Sequence, residues 1–429
     1  MHRLLHDVRR SLASPSRNPR MATVLGRLLA IAFLVCFGTG LFSHYLQEPL
    51  PWMVFPTRPV WIYQVSQGLH ITAGIVCFPL LLGKLYTVFP ELFQSPPVRS
   101  VRHFFERASI AVFVAASIVE ITIGLLNTFQ LYAFFPFPFR QTHFALSFVV
   151  IGSLAIHIAI KLPTIAQYWR KRDSYEADGS VVRIAEAPQS GEHDGRDREV
   201  VLDSPHTTGV TGRVFAWIDR VPGTPREPRE ARTSRRGFLA AIGLSAAALV
   251  VFTGGQSFRV LDGTNLFAPR KQGVGPNDLP VNRTARAADV LETAVDPGWT
   301  LTVSNGSTSR VLSRDELLAL PQYDVELPIA CVEGWSQSAR WRGPRMRDLA
   351  DLVGAEPGAR FRATSLEEGS IYAVMEMGAE YVRDDLTLVA LELNGSELDI
   401  DHGYPARMIA PARPGVLQTK WLSRLEVIS

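Results

Sequence analysis

Cysteine is scarce: three in 429 residues. Cys36 and Cys77 lie in long apolar runs, where a thiol usually serves as a small hydrophobe. Cys331 is then left without an obvious disulfide partner, which excludes a disulfide-stapled scaffold. An unpaired thiol has three readings: an inert core residue, a reactive nucleophile or a metal ligand. An excess of charge of one sign is also lacking. The chain has 44 Lys and Arg against 41 Asp and Glu, a net +3, so no nucleic-acid partner is expected. Apolar residues, by contrast, are abundant at 47% against 20% charged, and their distribution is uneven.

The apolar excess lies before Trp169, in runs over roughly 22–46, 60–83, 108–131 and 142–164. Each is close to the twenty or so residues that cross a bilayer, so four membrane helices are expected. Basic residues mark one side of them. Arg3, Arg9, Arg10, Arg17 and Arg20 precede the first run; Lys84, Arg99, Arg102 and Arg107 flank the loop between the second and third; Lys161, Arg170, Lys171 and Arg172 follow the fourth. By the positive-inside rule these ends face the cytoplasm. The expected divisions are a cytoplasmic segment over 1–20, a four-helix transmembrane domain over 21–172 and a polar cytoplasmic linker over 173–233, rich in Pro, Gly and charge.

The linker runs into "TSRRGFLAAIGLSAAALVVF", a fifth membrane helix placed at 234–256. An ordinary helix with a basic flank accounts for Arg235 and Arg236. The same stretch also resembles the twin-arginine signal that exports folded proteins. Either way, 257–429 falls outside the cytoplasm, giving a multi-pass protein of the plasma membrane in contact with lipid.

From Gly298 onward, short alternating runs read as strands: "WTLTVSN", "FRATS", "IYAVMEM", "LTLVALELNG", "PARMIAP" and "LSRLEVIS". "SRDELLALP" and "MRDLADLVG" read as short helices, the first capped by Ser313. The fold class expected overall is therefore multi-domain, an all-α membrane bundle followed by an α+β domain.

Three motifs of that domain, "CVEGWS" with a following "WRG", "LELNGSELDIDHGYPARMIAP" and "TKWLSRLEV", resemble the molybdopterin-binding domain of the sulfite oxidase family. That family includes periplasmic methionine sulfoxide reductases. The resemblance implies a molybdopterin cofactor with Cys331 as the thiolate ligand of molybdenum, a soft donor suited to a transition metal. It implies Arg407 and Lys420 at the cofactor phosphate, His402 donating to the pterin, a hydroxyl contact from Thr364 or Ser365, and Asn282 as an upstream contact. Arg340 and Arg342, with Arg345, are candidates for presenting positive charge to an oxyanion substrate. Animal and plant sulfite oxidases continue past "KW" into a segment with a catalytic tyrosine and an immunoglobulin-like domain. The substrate class is therefore left wide: a small oxyanion or an S- or N-oxide.

Four of the ten histidines fall in or at the ends of the apolar runs: His44, His70, His143 and His157. An ionisable group in a bilayer is a functional hypothesis by default, although interhelical hydrogen bonding would also place histidines there. His143 and His157 are four helical turns apart, about 21 Å along one face. This resembles the di-haem cytochromes b and implies two haems b, with His44 partnering His143 and His70 partnering His157, or His103 as an alternative inner ligand. A molybdenum centre fused to membrane haems would exchange electrons with the quinone pool. Two alternatives stay open: a haem-free membrane anchor, and a membrane-anchored binding protein without cofactor.

Overall fold

The computed structural model describes residues 16–93, 98, 100–134, 137–169, 213 and 234–428. The linker expected over 173–233, Arg213 excepted, lies outside the described residues, as do Arg3, Arg9, Arg10, Arg99, Arg170, Lys171 and Arg172. Among the described residues five helices are long and apolar enough to cross a membrane. They are α1 (Pro19–Gln47), α2 (Ile62–Val88), α3 (Val101–Thr128), α4 (Phe139–Tyr168) and α5 (Arg235–Thr253). Their best windows have mean hydropathies from 1.7 to 2.2. The helices overrun the apolar windows because backbone hydrogen bonding continues where side chains turn polar. Thus α3 starts at Val101 rather than near 108, taking in His103, Glu106 and Arg107, and stops at Thr128 instead of 131. Ser234 caps α5, its hydroxyl accepting from Gly237 N at 3.0 Å.

The chain divides into two compact units. The first comprises Met1–Leu34, Gly74–Gly124 and Phe137–Ala248. Within it Phe33 meets Phe113 edge-on at 5.9 Å, Lys84 Nζ donates to Ala22 O at 2.6 Å, and Glu106 pairs with Lys161. The second comprises Val35–Ala73, Leu125–Pro136 and Leu249–Ser429. It therefore holds the ends of α1 and α2 that face each other across the 48–61 loop, the end of α3, and the whole sheet-bearing region.

That region runs β1 (Thr300–Asn305), β2 (Thr308–Ser313), α6 (Arg314–Ala319), β3 (Tyr323–Ala330), β4 (Ser336–Gly343), α7 (Met346–Leu352), β5 (Arg360–Ser365), β6 (Val374–Met377), α8 (Ala379–Val382), β7 (Leu388–Ala390), β8 (Glu392–Leu393), β9 (Ser396–Glu397), β10 (Arg407–Ile409) and β11 (Leu422–Ile428). One sheet has the order β2-β1-β11-β5-β6, a second β3-β4-β8-β9, and β10 pairs with β7. The single parallel pair among the described strands of the large sheet is β1 with β11. The α+β class expected from the sequence holds. Alternation sets the buried faces: Leu301 and Val303 of β1 and Ala339 and Trp341 of β4 point inward. The Ser313 cap is a full capping box, with Glu316 N donating to Ser313 Oγ at 3.2 Å and Ser313 N to Glu316 Oε2 at 2.7 Å.

Three strand readings need correction. "IYAVMEM" pairs only over Val374–Met377. "LTLVALELNG" is broken at Leu391 into β7, which pairs with β10, and β8, which pairs with β4, and Asn394 and Gly395, both at positive φ (53° and 83°), then turn the chain into β9. The β3–β4 hairpin was not expected at all, yet it carries Cys331 at its turn.

Candidate cofactor site

Cys331 follows the last residue of β3, 1% exposed. The hairpin closes around it: Cys331 N donates to Trp335 O at 2.9 Å and Gly334 N to Cys331 O at 3.0 Å. Gly334 sits at φ 98°, a conformation L-residues rarely adopt. The backbone N–H groups of Val332 and Glu333 in this turn pull the thiol pKa down. Burial nevertheless pushes its pKa well above the ordinary thiol value, and the Glu333 carboxyl pushes the same way. A nucleophilic cysteine needs the reverse, so this environment argues against that reading. It suits a thiol whose charged form is stabilised by a metal cation instead. Among the described residues no three His, Cys, Asp or Glu side chains gather into a metal site. A metal here would take one thiolate from the protein and its remaining ligands from the cofactor.

Partners from distant segments of the same unit hold the Cys331 loop. Gln67 Nε2 and Asn127 Nδ2 both donate to Val332 O, at 3.1 and 3.2 Å. Gln64 Nε2 reaches Ser336 Oγ at 3.2 Å, and Ser257 Oγ donates to Gly334 O. Glu333 is buried, accepting from Gln130 Nε2 and from Trp335 Nε1 at 3.3 Å. Burial raises its pKa, opposed by those donors and by Arg270. Gln130 also donates to Asn282 O at 2.7 Å and accepts from Arg270 at 2.9 Å.

A second cluster lies between β10 and β11. Gly403 takes φ 108°, and a Cβ there would come within 3.0 Å of Lys420 Cβ and 3.1 Å of Arg407 Cβ, so the glycine lets both cations close in around it. Arg407 is 1% exposed, donates to His402 O at 2.9 Å and lies 5.0 Å over the Trp341 ring. It forms no ion pair with a carboxylate among the described residues, its Nε has no partner, and neither has the buried Thr419 Oγ1 beside it. Burial pulls the Arg407 pKa down to about 9. Lys420 Nζ donates to Asp401 O at 2.7 Å and Arg283 O at 2.9 Å. Burial, with Arg407 nearby, lowers its pKa to about 7, while Cys331 is among the groups pulling it back up. An uncompensated buried guanidinium is costly. The arrangement calls for an anion, and two converging cations with orphaned donors fit a phosphate. Cys331, Arg407 and Lys420 thus fit a molybdopterin.

The other expected residues divide. His402 Nε2 lies 2.8 Å from Pro276 O and 3.1 Å from Leu279 O, and its pKa is lowered to about 3 by burial and by Lys420 and Arg407. The neutral ring spends its N–H on the fold, so its Nδ1 can only accept; this corrects the donor role expected toward a pterin. Ser365 Oγ donates to Lys420 O at 2.8 Å and accepts from Glu367 N at 3.0 Å, acting on the turn that presents Lys420. Thr364 is half-buried beside it, its carbonyl accepting from Ser423. Asn282 meets Gln130 through its backbone. Arg340 and Arg342 sit on the solvent face of β4, four and six residues along from Ser336, and Arg340 pairs with Asp324 at 3.0 Å. The structure does not bring them to Cys331, which corrects the substrate-facing role expected of them; alternation with Ala339 and Trp341 turns them outward.

The histidines each have their own setting. His70 Nδ1 lies 2.9 Å from Cys36 O, with Gly40 beside the ring. His143 Nδ1 lies 3.2 Å from the Glu120 carboxylate, with Gly124 beside it. His157 stacks on Phe113 at 6.0 Å. His44 is 3.7 Å from Glu48, and His103 occupies the first turn of α3. Sequence reasoning missed Glu333, Gln67, Asn127, Gln130 and Arg270. Their one visible signal was polarity in or beside apolar runs.

Residues 288–429 match the family described as oxidoreductase molybdopterin binding domain. The mitochondrial sulfite oxidase of Drosophila melanogaster is 29% identical over 180 residues, 35% of this chain and 30% of that protein. The uncharacterized oxidoreductase YuiH of Bacillus subtilis is 29% identical over 117 residues, 27% of this chain and 58% of that one. A putative protein-methionine-sulfoxide reductase subunit, YedZ1, of Azospira oryzae is 30% identical over 113 residues, 26% and 42% of the two chains. The matched region spans less than a third of the animal sulfite oxidases. The chain therefore carries a sulfite oxidase-type molybdopterin-binding oxidoreductase domain over residues 288–429.

Proposed function

We propose that this protein is a membrane-bound molybdopterin-dependent oxidoreductase that exchanges electrons between a small extracytoplasmic substrate, an oxyanion or an S- or N-oxide, and the quinone pool through membrane haems. The observation that carries the reading is the contact of the Cys331 loop with Gln64, Gln67 and Asn127, residues of helices apolar enough to span a membrane. A redox centre in that position has a membrane route within reach. When bound, the cofactor supplies two-electron oxygen-atom chemistry. Cys331 holds its metal, and Arg407 and Lys420 neutralise its phosphate.

Haem ligation by His70 and His143 is supported by the backbone carbonyl that meets His70 Nδ1 and by the Glu120 carboxylate 3.2 Å from His143 Nδ1. Such partners fix the tautomer that offers the opposite nitrogen to iron. Glycines at 40 and 124 keep the flank of each imidazole clear of side chains. His157 and His44 complete the expected set. The extracytoplasmic placement of the domain follows from the positive-inside distribution. The arginines of α5 fit it too, since basic residues are unfavourable at a helix N-terminus and need a reason other than helix stability.

Elemental analysis for molybdenum, with a reduced-minus-oxidised visible spectrum of the purified protein, tests both cofactors. Molybdenum near one per chain and a low-spin b-type spectrum that diminishes in His157→Ala support the reading. Molybdenum without haem leaves the haem-free anchor, and neither leaves a binding protein. Converting Arg235 and Arg236 to Lys separates twin-arginine export from charge alone: a domain still reached by external protease excludes the former.

A further inference from the structure

The amides of Gln67 and Asn127 both converge on one carbonyl. Val332 O accepts from Gln67 Nε2 at 3.1 Å and from Asn127 Nδ2 at 3.2 Å. Their segments lie 265 and 205 residues from Val332 in the chain but belong to its compact unit. Both side chains are buried, Gln67 at 4% exposure and Asn127 at 6%. Gln67 is also an expensive choice: its Oε1 is buried with no partner, so a residue of similar shape without the amide would cost less. What it gains is the bond from Nε2. Asn127 is steered to the same end, because Tyr132 OH donates to its Oδ1 at 2.8 Å and turns Nδ2 toward Val332.

The Val332 carbonyl and the Glu333 N–H are two ends of a single peptide unit inside the tight turn that Gly334 N closes on Cys331 O at 3.0 Å, which brings that N–H to the side of the Cys331 thiol, where it pulls the thiol pKa down. A carbonyl that accepts two hydrogen bonds draws charge along its amide and makes the N–H a stronger donor. A stronger donor to a metal-bound thiolate withdraws charge from the metal and favours its reduced form. We propose that Gln67 and Asn127 are positioning residues that raise the reduction potential of the metal held by Cys331, acting through the Val332–Glu333 peptide. The inference rests on the reading of Cys331 as the thiolate ligand. It makes segments outside the matched domain part of the metal's electronic environment, so that domain alone would hold a metal of lower potential.

The test is a redox titration of the paramagnetic molybdenum signal in full-length, cofactor-loaded protein, with molybdenum content measured in parallel. Gln67→Met and Asn127→Leu keep approximate shape and remove the donors. Each is expected to lower the midpoint potential with molybdenum content retained, and the double variant to lower it further. Tyr132→Phe, which leaves both amides in place, should shift it in the same direction by less. Gln64→Met, whose bond goes to Ser336 Oγ outside that peptide, should leave it unchanged. An unchanged potential in the metal-loaded double variant overturns the proposal, and should that variant fail to accumulate, unchanged potentials in the single variants and Tyr132→Phe do the same. A native protein with no molybdenum signal overturns instead the assignment of Cys331 as ligand.

Discussion

The Cys331 loop and the Arg407–Lys420 cluster are the two regions proposed to meet the cofactor, and they are supported in different ways. Arg407 is set by neighbours close in sequence, the turn at Gly403 and the His402 and Gln418 carbonyls, and Lys420 adds Ser365 and Arg283, more distant but still beyond the long helices in the chain. The Cys331 loop is gripped by Gln64, Gln67, Asn127 and Gln130, far upstream in the chain. A charged cofactor tail can be held by a site that any copy of the domain carries. The loop of the proposed metal ligand is instead shaped by segments apolar enough to span a membrane.

The sharpest break of that comparison is Cys331→Ser, which should abolish turnover while leaving the protein expressed; full activity in this variant would exclude Cys331 as the ligand. Next is Arg407→Met. Removing one partner of a buried charge contact costs on the order of 2–5 kcal/mol of affinity, so molybdenum content should fall. The cofactor-free protein should at the same time become more resistant to heat, because an uncompensated buried cation is gone. A parallel loss of both would mean that Arg407 serves the fold. Gly403→Ala should cost about 1–3 kcal/mol of stability through strain at φ 108° and the approach to both cations. Thermal melts with and without cofactor should show the larger loss in the loaded form. The smallest effect concerns pH. Lys420 titrates near 7 in the cofactor-free fold against an ordinary 10.5, so between those values the unfolded chain binds more protons and stability rises with pH. Lys420→Met should flatten that slope, measured by melting across the range; the group is half-buried, and solvent softens the change.

The five long helices, the Ser313 cap and the separation of an α+β region were legible because each is written in contiguous sequence: an apolar run, a Ser with Glu three residues on, an alternation. Cys331, Arg407 and Lys420 were legible through motifs. The β3–β4 hairpin was not, because "SQSARWRG" offers three polar side chains and two arginines that draw attention to charge; their alternation with Ala339 and Trp341 is what makes the strand. His402 was legible as a site residue but not in its role, which depends on Pro276 and Leu279, more than a hundred residues upstream. Gln67 and Asn127 are polar residues in apolar helices, and no local pattern links them to Val332.

The position of β11 bears on how the protein is made. It lies in the middle of the large sheet, pairing on one side with β1 and on the other with β5, although it is the last strand in chain order. Until it inserts, β1 and β5 each present an open edge able to recruit other extended chains, and the closure it awaits is long-range and slow. Lys420, two residues ahead of its first residue, packs against Gly403, so the cradle is finished by the segment that leads into this strand. Completion of the sheet and completion of the anion cradle are therefore one event: a nascent domain remains aggregation-prone for as long as it is unable to retain its cofactor, and a ligand that captures the cradle also seals the edges.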